Sequence, residues 1–191
     1  MVMEKQKYNE QSALNEQNEE RLKSKLNSEM SDIKNISSNK AISLLGAIPT
    51  LCKLHFDSIE NRKVKNANPE KTHPIIPERG EIYNAEITVN IGSELSGNHL
   101  VVILQNNKGN MYGEKVNVLP IEGDGNKINP KYQCQLTNDD LEEGHLDKNP
   151  SRIIITDITT FDKARLGIRI GKIKPEKMME ISEMLKKQLV L

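Results

Sequence analysis

Apolar residues recur along this chain with two different periods, and the change comes near residue 78. From Tyr8 to Ile36 the residues are mostly Glu, Lys, Asn, Gln and Ser, with Leu22, Leu26, Met30 and Ile33 at steps of four, four and three. That is a thin stripe at helical spacing, which predicts a solvated helix; it is too short for three secure heptads. Residues 39–56 are the most apolar part of this half, and Gly46 and Pro49 are expected to break or kink any helix there. Pro69, Pro74 and Pro77 among charged residues mark 64–78 as a linker, with a helical N-terminal extension over 1–63. On this reading His55 is a packed side chain and His73 a linker residue.

Beyond Arg79 the period shortens. Strands are predicted over about Glu81 to Val89 and over Leu100 to Leu104, the latter a continuous apolar run that reads as buried on both faces. Further strands are expected around Val116, Val118 and Ile121, at Tyr132, Cys134 and Leu136, and over Arg152–Thr156 and Ile168–Ile173. Several short strands within about 110 residues favour a compact barrel or sandwich. Pro175 and Glu176 then suit the first turn of a closing helix, whose Met178, Ile181, Met184, Leu185 and Leu189 make one apolar face. Glycine follows the same division: of eleven, only Gly46 precedes residue 79.

Charge narrows the possible functions. The 191 residues carry 27 basic and 27 acidic side chains, split 12 to 11 over residues 1–78 and 15 to 16 over residues 79–191. Neither part is a basic domain that holds nucleic acid by bulk charge, and six scattered aromatic rings argue against base stacking. Cys52 and Cys134 have neither metal-ligand spacing nor a disulfide framework, which with no apolar span and no signal-peptide pattern predicts a cytoplasmic protein without a membrane partner. Glu122-Gly123-Asp124-Gly125-Asn126 superficially resembles a calcium loop, but Lys127 and Gln133 stand where such a loop needs Gly and Glu. A turn between strands explains it, so no metal or other cofactor is expected. The Gly/Ser-rich connection over 90–99 joins two strong strands, and His99 opens the second of them at a rim where an imidazole can exchange protons.

Between residues 79 and 191 stand Arg79-Gly80-Glu81-Ile82-Tyr83, Gly92-Ser93-Glu94, Ile103-Leu104-Gln105-Asn106 with Gly109-Asn110, Thr160-Phe161-Asp162-Lys163-Ala164-Arg165-Leu166, Ile170-Gly171 and Met178-Met179. In these segments and their order the region resembles the MazF/PemK family of toxin endoribonucleases from bacterial toxin–antitoxin pairs. The resemblance implies a mainly β fold, an SH3-like small β-barrel with a C-terminal helix, preceded here by the helical extension. It also implies a homodimer, metal-independent cleavage of single-stranded RNA, and a cognate antitoxin that occupies the RNA groove. The loop from about Asn90 to Asn98 borders that groove, which makes Ser93 and Glu94 candidates for RNA contact, with Gln105 and Asn106 in the next matching segment.

The family's usual catalytic set is replaced. Where many members carry an arginine followed by proline, this chain has His99-Leu100, and Glu122 stands in place of a threonine or serine. A second branch uses an arginine and an aspartate where this chain has Ile154 and Thr156, and a loop histidine where it has Ser93. RNA cleavage through the 2′-hydroxyl needs a base, an acid and positive charge near the phosphate. His99, as acid or base, with Glu122 as complementary base or orienting group, is the expected catalytic pair; Arg152, Lys108 and Lys115 are the candidates for phosphate contact. The alternative is a barrel that has lost catalysis and binds only RNA or an antitoxin, because a permanently charged arginine is missing from the groove.

Overall fold

The computed structural model describes residues 16–30 and 38–191. The chain divides into two compact units between residues 43 and 44. In the first, helix α1 (Glu16–Met30) leaves Leu22 and Leu26 exposed and carries Lys23–Glu19 and Lys25–Glu29 ion pairs at helical spacing. This is the solvated helix expected from its composition; the side chain of Met30 and all of Ile33 lie outside the described residues.

Helix α2 (Ser38–Ala67) runs through Pro49 without a break, contrary to expectation. Proline removes one rung of the ladder and costs roughly 3 kcal/mol, but the helix beyond it is fastened to the rest of the second unit. Ser58 Oγ donates to Asp162 at 2.7 Å, Arg62 pairs with Glu114 at 3.2 Å, and Lys65 Nζ donates to the Tyr112 carbonyl at 2.6 Å. Beyond Pro49 the half-buried positions of the helix are 50, 54, 57–61 and 65, mostly polar, whereas Leu44, Ile48, Leu51, Phe56 and Val64 are exposed. Residues 64–67 of the expected linker are thus the last turn of a helix. The two histidines exchange their expected places: His55 is exposed, and His73 is buried with its Nδ1 accepting the Ile75 N–H at 2.9 Å.

The second unit is built on one curled antiparallel sheet. Its strands are β1 (Glu81–Glu86), β2 (Asn98–Ile103), β3 (Lys115–Glu122), β4 (Gln133–Leu136), β5 (Leu141–Gly144), β6 (Ser151–Ile154), β7 (Thr159–Asp162) and β8 (Leu166–Ile173). They pair in the order β4-β6-β3-β2-β1-β8-β5, with β7 on the outer edge of β3. Helix α3 (Asn107–Tyr112) connects β2 to β3, and α4 (Pro175–Leu189) closes the chain. This is the small barrel-like β fold with a C-terminal helix that the sequence predicts; β5 and β7 were not among the predicted strands.

Strand β3 changes partner part-way along. Its outer edge pairs with β7 through residues 115–118 and with β6 at Ile121 and Glu122. The Asn117 carbonyl faces β2, accepting the Leu104 N–H at 2.9 Å, so by alternation residue 120 turns its backbone to the outer edge. Pro120 therefore puts its missing N–H in the gap between β7 and β6. Strand β2 is buried on both faces. Val102 joins Ile82, Leu119, Ile153 and Ile181 of α4 in the main core, and Val101 and Ile103 join Ala85, Val116, Val118 and Phe161 on the other face. Met178 and Ile181 dock α4, with Met184 and Leu185 partly buried against the same core, whereas Leu189 is exposed. Cys52 is exposed and Cys134 buried, both free thiols; burial pushes the Cys134 thiol up to about 11.

Candidate active site

The pairing of β2 with β3 decides what lies at the end of the sheet. Leu100 faces Ile121 and Ala85 faces His99, while Glu122 faces Arg152 and Arg152 faces Gln135. One step beyond the Leu100–Ile121 pair, His99 falls opposite Glu122. Ala85, His99, Glu122, Arg152 and Gln135 thus form one row across five neighbouring strands, with adjacent Cβ atoms about 5 Å apart. A residue at the start of one strand and one at the end of its antiparallel neighbour necessarily meet, which is how two positions 23 apart in sequence come together.

Both open into a cavity of about 580 Å³, lined by Leu100, Ile121, Ile168 and Ile170 and also by His145, Asp147 and Lys148 from the connection between β5 and β6. That connection is fixed to the turn after β3 by the Gly125 N–H, which donates to the Pro150 carbonyl at 3.0 Å, and β4 holds the same turn through Gln135 Nε2, which donates to the Gly125 carbonyl at 2.7 Å. A Cβ on Gly125 would lie 2.2 Å from the Ser151 carbonyl oxygen, so only glycine permits this approach. Asn84 and Asn98 also line a second hollow of about 450 Å³ walled by Lys53, Asp57 and Asn61 of α2.

Hydrogen bonds define the state of each polar group. His99 Nε2 lies 2.8 Å from the Ser96 carbonyl oxygen. A carbonyl only accepts, so Nε2 is the donor, and the tautomer that makes this bond has its lone pair on Nδ1. Arg152 donates to Glu122 Oε2 from Nε at 3.0 Å and Nη2 at 2.7 Å, and its Nη1 donates to the Lys127 carbonyl at 3.2 Å. The expected phosphate contact of Arg152 is therefore directed at a carboxylate in the row beside His99. Among the described residues no group of three or more His, Cys, Asp or Glu is placed to hold a metal ion.

Residues 78–189 match the PemK-like, MazF-like toxin family of type II toxin–antitoxin systems. The chain belongs to that family. Solved structures similar to this PemK/MazF-family chain include an endoribonuclease from a mycobacterial species in complex with its cognate antitoxin, 21% identical over 61% of this chain and 95% of that one, with a TM-score of 0.47. MazF from Deinococcus radiodurans is 15% identical, covering 61% and 98% with a TM-score of 0.49. The Mycobacterium tuberculosis toxin MazF-mt6 is 17% identical, covering 58% and 97% with a TM-score of 0.45.

Within the family domain the other expected RNA contacts are dispersed. Ser93 and Glu94 line a separate hollow of about 470 Å³, and the Glu94 carboxylate accepts the Ile91 N–H at 3.2 Å. Asn90 donates from its side chain to the Leu95 carbonyl at 2.7 Å and its N–H to Ser96 Oγ at 3.0 Å, so polar side chains fold this loop back on itself. Gln105, Asn106 and Lys108 lie past the far end of β2, about 20 Å from His99 at strand rise. There Asn106 caps α3 by accepting the Gly109 N–H at 2.8 Å, Gln105 reaches the Lys115 carbonyl at 3.3 Å, and Lys108 is exposed. The structure does not bring these three to the cavity. His145, Asp147 and Lys148 do line it, and no periodicity or glycine signal in the sequence marks them.

Proposed function

We propose that this chain is the toxin of a type II toxin–antitoxin pair and acts as a metal-independent endoribonuclease on single-stranded RNA. The observation that carries this reading is that His99 and Glu122, the latter held by Arg152, line one cavity in a chain of the PemK/MazF toxin family. His99 Nδ1 takes the 2′-hydroxyl proton, the 2′-oxygen attacks the adjacent phosphorus, and the bond to the 5′-oxygen breaks to leave a 2′,3′-cyclic phosphate. Arg152 and Glu122 hold each other beside the reacting group, and Glu122 fixes the guanidinium within reach of the phosphate. The same reading carries a cognate antitoxin as protein partner and a homodimeric state.

Purified full-length protein incubated with a long unstructured RNA and excess chelator should cut it at discrete sites. RNA left whole overturns the nuclease. The second reading, a binding-only barrel, is favoured by the engagement of Arg152 with a carboxylate in place of a phosphate. It predicts RNA or antitoxin retained by the protein but never cut.

A further inference from the structure

We propose that His145 is the general acid of the cleavage, the group that protonates the departing 5′-oxygen. The proposal rests on the nuclease reading and adds a catalytic residue from a different element to it.

Transfer through a 2′-hydroxyl places the attacking and leaving oxygens on opposite sides of phosphorus, so base and acid must approach from different directions. His99 and Glu122 are neighbours in one row of the sheet and stand on the same side. Glu122 is also engaged as acceptor of two N–H groups from Arg152, and a carboxylate in that role has no proton to give. The remaining titratable groups lining the cavity are His145, Asp147 and Lys148. Of these side-chain types, imidazole exchanges a proton most readily near neutral pH.

The backbone holds His145 in place although its side chain is exposed. On one side Gly144 pairs with Gly171 of β8, so close that a Cβ on Gly144 would lie 2.1 Å from the Ile170 carbonyl oxygen. On the other, Leu146 is 1% exposed, and its N–H donates to Asn138 Oδ1 at 2.7 Å. The two anchored neighbours fix the backbone of His145 at the rim of the cavity, so the imidazole reaches the site by side-chain rotation alone.

The step balances without a co-reactant. The 2′-hydroxyl proton passes to His99 Nδ1 and the 2′-oxygen bonds to phosphorus. The bond from phosphorus to the 5′-oxygen breaks with its electron pair on oxygen, and His145 supplies that oxygen's proton. The products are a 2′,3′-cyclic phosphate and a 5′-hydroxyl.

The test compares an ordinary RNA oligonucleotide with one whose scissile 5′-oxygen is replaced by sulfur, because a thiolate departs without a proton. For full-length His145→Ala, and for His145→Gln, which keeps a polar side chain, kcat on the oxygen substrate should fall about 100-fold or more with little change in KM. The alkaline limb of the pH profile should flatten, and cleavage of the sulfur substrate should stay near the wild-type rate, which also shows that the variants fold. His99→Ala should be slow on both substrates. Wild-type cleavage of ordinary RNA by the His145 variants, or an equal defect on both substrates, overturns this assignment alone. Wild-type protein that leaves RNA whole overturns the nuclease reading and this inference with it.

Discussion

Replacing His99 by alanine should lower kcat for RNA cleavage at neutral pH by about 10²–10⁴-fold, the usual contribution of a positioned general base. The substitution removes the lone pair on Nδ1 while leaving the cavity walls in place. His99 is half-buried at the first turns of β2, and the strand's hold on the core comes from Val101, Val102 and Ile103, each fully buried. The thermal midpoint should therefore change far less than the rate. The lost hydrogen bond to the Ser96 carbonyl should loosen the loop before β2 and raise KM modestly. Steady-state kinetics on a defined oligonucleotide read all three; a variant with full kcat would remove His99 from the reaction.

The largest stability effect should come from Lys163, at the turn after β7. Its side chain is 0% exposed, and its Nζ donates to the Ile75 carbonyl at 2.9 Å and to the Asn110 carbonyl. These bonds join the segment before β1, α3 and the end of β7 at one point. Lys163→Ala leaves two buried carbonyls without this donor and opens a void where the alkyl stem packed. Together these should cost roughly 3–5 kcal/mol, read as a lower midpoint in chemical denaturation.

Burial, reinforced by the positive charge of Lys65 and opposed by Asp162, pushes the Lys163 ammonium down to about 8. Between that value and the ordinary lysine value of 10.5 the unfolded chain binds more protons than the folded one, so this group's contribution to stability rises with pH. Lys163→Met, which keeps the stem and cannot titrate, should show a smaller rise than wild type across that window. An identical pH slope in both proteins would contradict the buried charge. His73 in the same region is lowered by burial and by Lys163, consistent with a neutral ring accepting the Ile75 N–H.

Alternation and long apolar runs made most of the sheet legible. Strand β2 reads as buried on both faces, and two cores do enclose it. Strand β5 escaped because Leu141 is its one apolar residue, and β7 because Phe161 stands alone among Thr and Asp. Helix α2 continues through Pro49, and beyond it polar side chains such as Ser58 bond to the sheet while His55 is exposed, a placement that the local sequence does not mark. The His99–Glu122 meeting was accessible because strand ends and antiparallel order suffice to predict it. Gln105 and Asn106 belong to one matching segment and Lys108 follows it, yet the six residues of β2 carry all three to the opposite end, where Asn106 caps α3 and Lys108 lies in its first turn. His145 lies in a connection without period, and only the glycine contact beside it and the burial of Leu146 show where it is held.

In the proposed reaction the 2′-hydroxyl of RNA is the nucleophile and side chains of this chain activate it. The direct measurement uses an oligonucleotide cut at one site, compared with the same sequence carrying a single 2′-deoxy nucleotide on the 5′ side of that site, both with chelator present. The first should be cut, with a 2′,3′-cyclic phosphate on the product by mass spectrometry, and the second should stay whole at that position. Cutting of the 2′-deoxy substrate at the same site would contradict this mechanism.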